Sequence, residues 1–474
     1  MKRKIGIMTF SDGRKEVYRD LLQMNEQFQD RLKQRLEETG EFEAYAGEII
    51  GDTDQAKREA MKLARAGVEA TIFNFAVWIF PSFPVMAANF VPGPYLLFSN
   101  VNPRYPGLVG MLATAGALDQ LGIFNGRVWG DIGDDQVMEK VVAFLRAATT
   151  VNRLRGETFG LFGGRPMGMY TAVADEDQWQ SLFGIDIEHT DQWEIVRRAK
   201  EVPDGQVEWA FTWLTQHVCK IHYDGKQLTP EKLKLQIRSY YAVKKIIEEK
   251  HLDFIGIKAQ PELTDNFVTM DLTESFMNDP YDWDGPHEPV VDATEADMDG
   301  ALTMEIFKHL SGKPVMFADV RHYDAEGNFF DLCNSGSHPT YFAARSNDPA
   351  VNLKKVEFYP EGFYFLAGGA SVRSIAAPGE VTIARMSRKG GRYWLAIAPA
   401  EFLDLGDRTE EKAKATQVEW PHAFARLRAP ADEFLAEYDS NHCHAIYGDW
   451  AEELVWVAKM LGIDYKVFGA GPDS

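Results

Sequence analysis

The chain has 474 residues, 45% of them hydrophobic and 26% charged, and its 71 acidic against 50 basic residues give a formal net charge of −21. That charge argues against nucleic acid or an anionic membrane as the main partner. No run of about 18 apolar residues is present to cross a bilayer, and the N-terminus lacks the long apolar segment of a secretion signal. The three widely spaced cysteines, Cys219, Cys333 and Cys443, favour reduced thiols. We therefore expect a cytoplasmic protein, and its length predicts about three domains.

The first third of the chain alternates short apolar runs with amphipathic stretches. The pattern predicts strands at KIGIMTF, EATIFNF, PYLLFSN and NGRVWGDIG, and helices at VYRDLLQMNEQFQDRLKQRLEE, DQAKREAMKLARAG and PGLVGMLATAGALDQLG. Strands and helices in alternation predict a parallel sheet with helices on both faces. A seam between domains is expected near Thr150, after the helix that contains DDQVMEK.

A second α/β domain is predicted from Glu157, with the helix PEKLKLQIRSYYAVKKIIEEK, the strands DFIGIK and EPVVDAT, and a helix near residues 299–310. Beyond Gly312 the strands become short, β-branched and aromatic, which is typical of an antiparallel sheet or barrel. The predicted fold class is α/β, with two Rossmann-like parallel-sheet domains followed by a β-barrel-like C-terminal domain. We place these domains at residues 1–152, 153–311 and 312–474, the last including a terminal helix.

Carboxylates follow or end two of the predicted strands. Glu295 comes directly after EPVVDAT, and Asp319 lies in or at the end of VMFADV. Acidic side chains at the carboxyl ends of strands point into the crevice where α/β proteins usually hold ligands, although many such residues only cap helices. The glycines of GLFGGRPMGM do not have the spacing of a phosphate-binding loop and favour a turn instead.

The segment DSNHCHAIYGDW holds a second concentration of metal-capable side chains. In an extended strand His442 and His444 project to one face and Cys443 to the other. Both imidazoles would then reach one metal, or one would bind it while the other donates a supporting hydrogen bond; alternatively, one caps the next helix and the other packs in an interface. Oxygen ligands with one imidazole suit Mn²⁺ or Mg²⁺, whereas His with Cys suits Zn²⁺. The upstream carboxylates favour the former.

Several blocks of this sequence resemble the L-fucose isomerase family. They are DGRKEVYRDL, then GRPMGMYTAVADEDQWQSLFGIDIEHTDQWEIVRR, DATEADMDGALTM with GKPVMFADVRHYD, and finally VEWPHAF with DEFLAEYDSNHCHAIYG, in family order along nearly the whole chain. The resemblance implies a three-domain aldose–ketose isomerase, usually a homohexamer. By the same resemblance, Glu295 and Asp319 are the catalytic carboxylates that bind Mn²⁺, and His442 is the third ligand. Proton transfer would then pass through a cis-enediol, with both carboxylates as acid/base groups.

The resemblance also implies a set of sugar contacts, which are Arg14, Trp78, Met167, Gln260, Trp420 and Asn441. His444 is expected to face the substrate or to support His442, and Cys443 to be a buried bystander. His338 is a further candidate for the pocket wall, and Asp449 for orienting one of the two histidines.

Departures from the family pattern concern the substrate. The chain is shorter than the family's fucose isomerases, and Arg165 and Pro166 stand where small residues are expected. A hexose, a 6-deoxyhexose, a pentose or a 6-sulfonated, sulfoquinovose-like sugar are all compatible, with Arg14, Arg165 or Arg345 as candidates to bind a sulfonate. The alternatives are a catalytically silent sugar-binding or regulatory protein on the same fold, and a metal-dependent lyase or epimerase.

Overall fold

The computed structural model describes residues 2–335, 338–362 and 364–470. The chain forms two compact units, one of Met1–Arg153 with Glu452–Gly462 and the other of Leu154–Ala451 with Ile463–Ser474. We call them unit 1 and unit 2. Within the described residues, every helix is too short or too polar to traverse a bilayer.

Unit 1 is built on a five-stranded parallel sheet. Its strands are β1 (Arg3–Phe10), β2 (Phe42–Ala46), β3 (Ala70–Phe75), β4 (Tyr95–Ser99) and β5 (Asn125–Trp129), and its helices begin with α1 (Lys15–Glu38), α2 (Thr53–Arg65), α3 (Ser82–Ala87), α4 (Gly107–Gln120) and α5 (Asp135–Leu154). The strand order is β2-β1-β3-β4-β5. Every residue of the central strand β3 is buried, including the polar Thr71 and Asn74, as expected for a strand covered on both faces. Asp52 starts α2 by accepting a hydrogen bond from the Gln55 amide.

A helix from the end of the chain, Ala451–Leu461, completes unit 1. Its Trp456 ring packs edge-on against Phe144, with 5.1 Å between the ring centroids. Arg146 donates a hydrogen bond of 3.0 Å to Glu453. The predicted domain at residues 312–474 includes this helix, and the three predicted domain boundaries remain a prediction.

Unit 2 begins with a second parallel sheet, of order β12-β9-β6-β7. The elements of this part are β6 (Thr158–Phe162), α6 (Glu176–Leu182), β7 (Asp186–Thr190), α7 (Trp193–Ala199), α8 (Asp204–His217), β8 (Lys220–Ile221), α9 (Pro230–Lys250), β9 (Phe254–Ile257), α10 (Glu262–Asn266), α11 (Asp271–Met277), β10 (Tyr281–Asp282), β11 (Gly285–Pro286), β12 (Asp292–Thr294) and α12 (Met298–Ser311). The long helix α9 starts at a Thr229 cap followed by proline, and ends at His251 in the left-handed conformation.

The remaining part of unit 2 is mostly antiparallel. Its elements are β13 (Met316–Asp324), β14 (Phe329–Cys333), α13 (Pro349–Asn352), β15 (Glu357–Pro360), β16 (Ala370–Arg373), β17 (Gly379–Lys389), β18 (Arg392–Phe402), α14 (Thr409–Ala415), β19 (His422–Leu427), α15 (Ala431–Glu437), β20 (His442–Tyr447), α16 (Ala451–Leu461, the helix that packs in unit 1) and β21 (Asp464–Val467), with short 3-10 turns at Thr340–Ala343, Leu353–Lys355 and Gly406–Arg408. Strands β8, β15 and β16 form a separate small sheet.

The main sheet of this part has the order β17-β20-β13-β14-β19-β18-β21, and β17 also pairs with β18, which closes a circuit of strands. Gly390 and Gly391 form the two-residue turn of the β17–β18 hairpin with positive φ at both positions, as a type I′ turn requires. Trp394, Ala396 and Ala398 of β18 alternate into the apolar core. The predicted α/β class, with parallel sheets followed by an antiparallel one, is confirmed.

Candidate active site

The turn between β12 and α12 positions Glu295. Glu295 and Ala296 both adopt left-handed backbone conformations, with φ of 59° and 48°. The Ala296 amide donates a hydrogen bond of 2.9 Å to the Ile257 carbonyl at the end of β9, and Asp297 caps α12 by accepting from the Gly300 amide. Such conformations are costly for residues with a side chain and concentrate at functional sites. The turn therefore holds the buried Glu295 carboxylate next to the ends of the sheet strands.

Strands β13 and β20 position Asp319 and His442. The two residues lie directly opposite each other in an antiparallel pair, so their side chains leave the sheet on the same face. Asn334 donates a hydrogen bond of 2.8 Å to Asp319 Oδ2, and Asn441 donates one of 3.1 Å to Asp319 Oδ1. Burial raises the pKa of the Asp319 carboxyl; the neighbouring His442 opposes this effect and the Glu295 charge adds to it.

The His442 imidazole lies between carboxylates on both of its ring nitrogens. Its Nδ1 is 2.6 Å from Asp297 Oδ2, and its Nε2 is 3.1 Å from Glu295 Oε2 and 3.6 Å from Asp319 Oδ1. Burial lowers the pKa of this imidazole, but the hydrogen bond with Asp297 and the negative charges of Asp297 and Glu295 outweigh burial and raise the pKa to about 10. Three acidic groups thus favour positive charge at this point of the protein.

Glu295, Asp319 and His442, which we call the Glu295 cluster, fit a divalent cation. The fully buried Nε2 of His442 has no hydrogen-bond partner among the described residues, and it faces the two carboxylates. Two carboxylate oxygens and one imidazole nitrogen form a donor set that suits Mn²⁺ and similar divalent ions. The hydrogen bond from Nδ1 to a carboxylate is the arrangement that usually orients a metal-binding histidine.

The Glu295 cluster opens into a cleft of about 280 Å³. Of the residues that the sequence assigned to sugar contacts, Met167, Gln260 and Trp420 line this cleft. Trp420 donates a hydrogen bond of 2.6 Å from its indole nitrogen to the buried Glu361, whose pKa burial raises to about 8. The other described lining residues are Pro261, Thr264, Asp265, Glu295, Asp319, Arg321, Asn334, Ser335, Tyr364 and Phe365. The cleft therefore combines carboxylates with an aromatic wall, as sugar-binding sites require.

Other predicted site residues lie elsewhere. His444 projects to the same face as His442, since both rings pack against Phe317 with centroids 4.9 and 4.6 Å away. However, it is fully buried and contacts Arg385 at 3.2 Å rather than lining the cleft. Cys443 points into the apolar core on the opposite face, as predicted. Asn441 contacts Asp319.

Asp449 pairs with Arg428 at 3.1 Å, so that Asp297, and not Asp449, orients His442. His338 is buried, and burial together with His422 lowers its pKa to about 3. Neither residue is among the described residues that line the cleft. Asp297 and Arg385 were not predicted as site residues, although the capping position of Asp297, two residues after Glu295, was a usable signal.

The arginines considered for a sulfonate also lie outside the described wall of the cleft. Arg165 lies over the Tyr170 ring and Arg345 over the Tyr447 ring. Arg14 belongs to unit 1, where it donates to both oxygens of Asp12. Trp78 belongs to unit 1 as well. Arg321 is the arginine that the structure places in the described wall, with its guanidinium 5.0 Å from the centre of the Trp420 ring.

A second group of metal-capable side chains lies at the end of α12. Its members are Glu157, Glu305 and His309, which we call the Glu157 cluster, and one ligand atom of each lies within 4.8 Å of the others. His309 Nε2 is 2.7 Å from Glu157 Oε1 and 3.3 Å from Glu305 Oε1. Lys308 Nζ is 2.6 Å from the same Glu305 oxygen. An ammonium group therefore already provides a positive charge for this cluster.

Comparison with known proteins gives a consistent result. Sequence models of the first N-terminal, second N-terminal and C-terminal domains of L-fucose isomerase match residues 2–156, 234–312 and 332–468. An L-fucose isomerase of Haemophilus influenzae (strain ATCC 51907 / DSM 11121 / KW20 / Rd) is 26% identical over 97% of this chain and 91% of its own length. Those of Streptococcus pneumoniae (strain CGSP14) and Vibrio vulnificus (strain YJ016) are 25% and 24% identical, over 97% and 88% of this chain and 92% and 84% of their own lengths.

The three matched domains follow the observed order of two parallel-sheet α/β regions and an antiparallel one. These matches, together with relatives named L-fucose isomerase over most of the chain, identify an aldose–ketose isomerase, which is an intramolecular oxidoreductase. The three domain matches fall in order along one chain, and the relatives align over most of it. The chain belongs to the L-fucose isomerase family.

Proposed function

We propose that this protein is a Mn²⁺-dependent isomerase that interconverts an aldose and its ketose through a cis-enediol(ate). This proposal rests on one observation: His442 Nε2 lies 3.1 Å from Glu295 and 3.6 Å from Asp319, and these two carboxylates line a cleft. Glu295, Asp319 and His442 would hold the cation. Bound there, the ion supplies positive charge beside the two substrate oxygens on which negative charge develops.

The two carboxylates have different surroundings, which suits them to different steps. Asp319 accepts hydrogen bonds from Asn334 and Asn441, one on each oxygen, so its orientation is restrained. Glu295 is held by the backbone of a left-handed turn. In the proposed reaction one carboxylate removes the proton from the carbon beside the carbonyl, and the other moves protons between the substrate oxygens. Both are acid/base groups, and the direction of the reaction exchanges their tasks.

The proposed substrate is a hexose, a 6-deoxyhexose, a pentose or a 6-substituted sugar, including a sulfonated one. Relatives named L-fucose isomerase support the 6-deoxyhexose. Trp420, with Met167 and Gln260, would contact the sugar along the wall of the cleft. A negatively charged substituent would find a planar guanidinium in Arg321.

Arg14, Trp78 and Asn441 remain proposed sugar contacts on the strength of the resemblance alone. We further propose that the protein forms a homohexamer in the cytoplasm. Light scattering on a size-exclusion column measures the assembly directly, and a monomer would contradict this part of the proposal.

The deciding experiment is a Mn²⁺-supplemented screen of L-fucose, D-arabinose, L-rhamnose and sulfoquinovose in D₂O. An isomerase converts at least one of them to its ketose and exchanges the proton at carbon 2 for deuterium. Binding without exchange would instead indicate a silent sugar-binding protein, and products other than the ketose would indicate a lyase or epimerase.

A further inference from the structure

Four nitrogen atoms converge on the side chain of Asp297, which is fully buried. Its Oδ1 accepts hydrogen bonds from the Gly300 amide at 2.9 Å and from Arg385 Nη2 at 3.0 Å. Its Oδ2 accepts from Arg385 Nη1 at 2.5 Å and lies 2.6 Å from His442 Nδ1. Each carboxylate oxygen therefore has two polar contacts, and three of the four contacting groups are donors in every protonation state.

Counting donors and acceptors fixes the tautomer of His442. Asp297 accepts a hydrogen bond from Arg385 on each of its oxygens, and a carboxyl group in such a bidentate pair with a guanidinium is ionised and has no proton to donate. The proton in the contact between Asp297 and His442 must therefore belong to Nδ1. In the neutral imidazole the other nitrogen, Nε2, then carries a lone pair. That lone pair points toward Glu295 and Asp319.

Arg385 has further contacts besides Asp297. These contacts fix the position of its guanidinium, which therefore restrains the Asp297 carboxylate. Its Nη2 donates to the Thr171 carbonyl at 2.9 Å, and its Nη1 contacts His444 Nε2 at 3.2 Å. The guanidinium is completely buried. The Phe317 ring contacts both His442 and His444, which limits rotation of the two imidazoles.

We propose that Asp297, restrained by Arg385, is a positioning residue that keeps the proton of His442 on Nδ1 and presents the Nε2 lone pair to a divalent cation. The inference rests on the proposed function, because it requires that a cation binds the Glu295 cluster. It gives Arg385 and His444 a place behind the site rather than in the cleft.

The test replaces Asp297 with asparagine and measures Mn²⁺ binding by titration calorimetry, with no sugar present. Asparagine also caps helices well, so the start of α12 is retained. However, its amide group has only one acceptor oxygen, and its NH₂ must face either Arg385 and His442 or Arg385 and the Gly300 amide. We expect Asp297→Asn to bind Mn²⁺ about 10–100-fold more weakly, as losses of such supporting carboxylates usually do.

A spectroscopic measurement separates positioning from a general loss of structure. Electron spin echo modulation of the bound Mn²⁺, with ¹⁴N- and ¹⁵N-labelled histidine, detects a directly bound imidazole nitrogen. The native protein should show that modulation, and Asp297→Asn should show it weakened or lost. Asp299→Asn is the matched control, since Asp299 is an equally buried carboxylate that pairs with Arg388 and Tyr393 and not with His442. It should keep native affinity and modulation.

If Asp297→Asn does not fold, Arg385→Gln replaces it, and we expect a severalfold loss of Mn²⁺ affinity. Native affinity and nitrogen modulation in a folded Asp297→Asn or Arg385→Gln protein would overturn the inference. A native protein that binds no Mn²⁺ would contradict the proposed function as well. Native binding that His442→Ala weakens and Asp297→Asn does not would overturn the inference alone.

Discussion

Unit 2 holds two carboxylates and one imidazole at two separate places, in the Glu295 cluster and the Glu157 cluster. In both, one histidine Nε2 lies near two carboxylate oxygens, at 3.1 and 3.6 Å from Glu295 and Asp319 in the first, and at 2.7 and 3.3 Å from Glu157 and Glu305 in the second. These histidine-to-carboxylate distances do not distinguish a metal site from a network of ion pairs. Among the described residues, it is in the Glu157 cluster that one ligand atom of each member lies within 4.8 Å of the others.

The surroundings of the two clusters do distinguish them. Lys308 lies 2.6 Å from Glu305, so the Glu157 cluster contains a permanent cation of its own. In the Glu295 cluster, Arg385 pairs with Asp297 on the Nδ1 side of His442, and the two carboxylates proposed as ligands lie on the Nε2 side. Lys308 therefore offsets negative charge within the Glu157 cluster, whereas the ion pairs of Glu295 and Asp319 with described residues are formed with His442 alone. A bound divalent ion would offset that charge, and the first cluster also lines a cleft.

The largest expected difference between the clusters is in turnover. Glu295→Gln and Asp319→Asn should each lower kcat by a factor on the order of 10³ or more, because each removes a proposed acid/base group that is also a proposed ligand. Glu305→Gln makes the same chemical change in the Glu157 cluster and should leave kcat within about twofold, since Glu305 lies outside the described wall of the cleft. Ketose formation under saturating Mn²⁺ measures the effect. Full activity in either of the first two variants would refute the assignment.

The next largest difference is expected in Mn²⁺ affinity, between a variant of His442 and a variant of His309. His442→Ala removes a ligand, so Mn²⁺ affinity should fall by more than the roughly 10–100-fold that loss of a supporting residue causes. His309→Ala should leave the affinity unchanged. EDTA should abolish activity and added Mn²⁺ restore it. If His309→Ala weakened Mn²⁺ binding as much as His442→Ala, metal binding could not be assigned to the Glu295 cluster alone.

Much of the parallel-sheet fold and part of the Glu295 cluster could be predicted from the sequence. The alternation of strands and helices predicts the parallel sheet of unit 1. The two-residue period of an extended strand correctly separates His442 and His444 from Cys443. The position of Glu295 after a strand indicated a crevice, and the structure places it in the wall of a cleft.

The rest depends on contacts between distant parts of the chain. Arg385 reaches Asp297 across 88 residues, and no local pattern announces that pair. His444 lies two residues after His442, as a second ligand would. However, its imidazole contacts Arg385, and it is not among the described residues that line the cleft. Lys308 is adjacent to His309 in sequence, but its ion pair with Glu305 follows from the folded structure and not from that adjacency. Contacts between distant residues, rather than the spacing of histidines along the chain, determine which imidazole is available to a cation.

The cleft should produce a smaller difference, in substrate affinity. Trp420→Phe keeps an aromatic ring but removes stacking area and the hydrogen bond to Glu361. We expect KM to rise about 2–10-fold, which corresponds to the usual worth of an aromatic contact, with kcat nearly unchanged. Trp209→Phe is the matched control, since Trp209 also donates through its indole nitrogen, to the Trp283 carbonyl, but lies outside the described wall of the cleft. An equal rise in KM in the control would exclude a specific contact at Trp420.

The smallest expected effect concerns the pH dependence of stability at the Glu157 cluster. Burial raises the pKa of Glu305 to about 7, although Lys308 and His309 oppose this effect. A carboxyl with a raised pKa holds its proton in the folded protein after the unfolded chain, with its pKa near the ordinary value, has lost it. The free energy of unfolding therefore decreases as the pH rises between about 4.5 and 7, and this decrease is complete above pH 7.

Glutamine at position 305 does not titrate and should remove this dependence. The melting temperature of Glu305→Gln relative to the native protein should therefore increase by a few degrees between pH 5 and pH 7.5. Melting curves of both proteins at the two pH values, with EDTA present so that metal binding does not contribute, measure the difference. An unchanged difference would mean that Lys308 keeps Glu305 ionised throughout. The Glu157 cluster would then be a fully charged ion-pair network, and its contrast with the Glu295 cluster would become stronger.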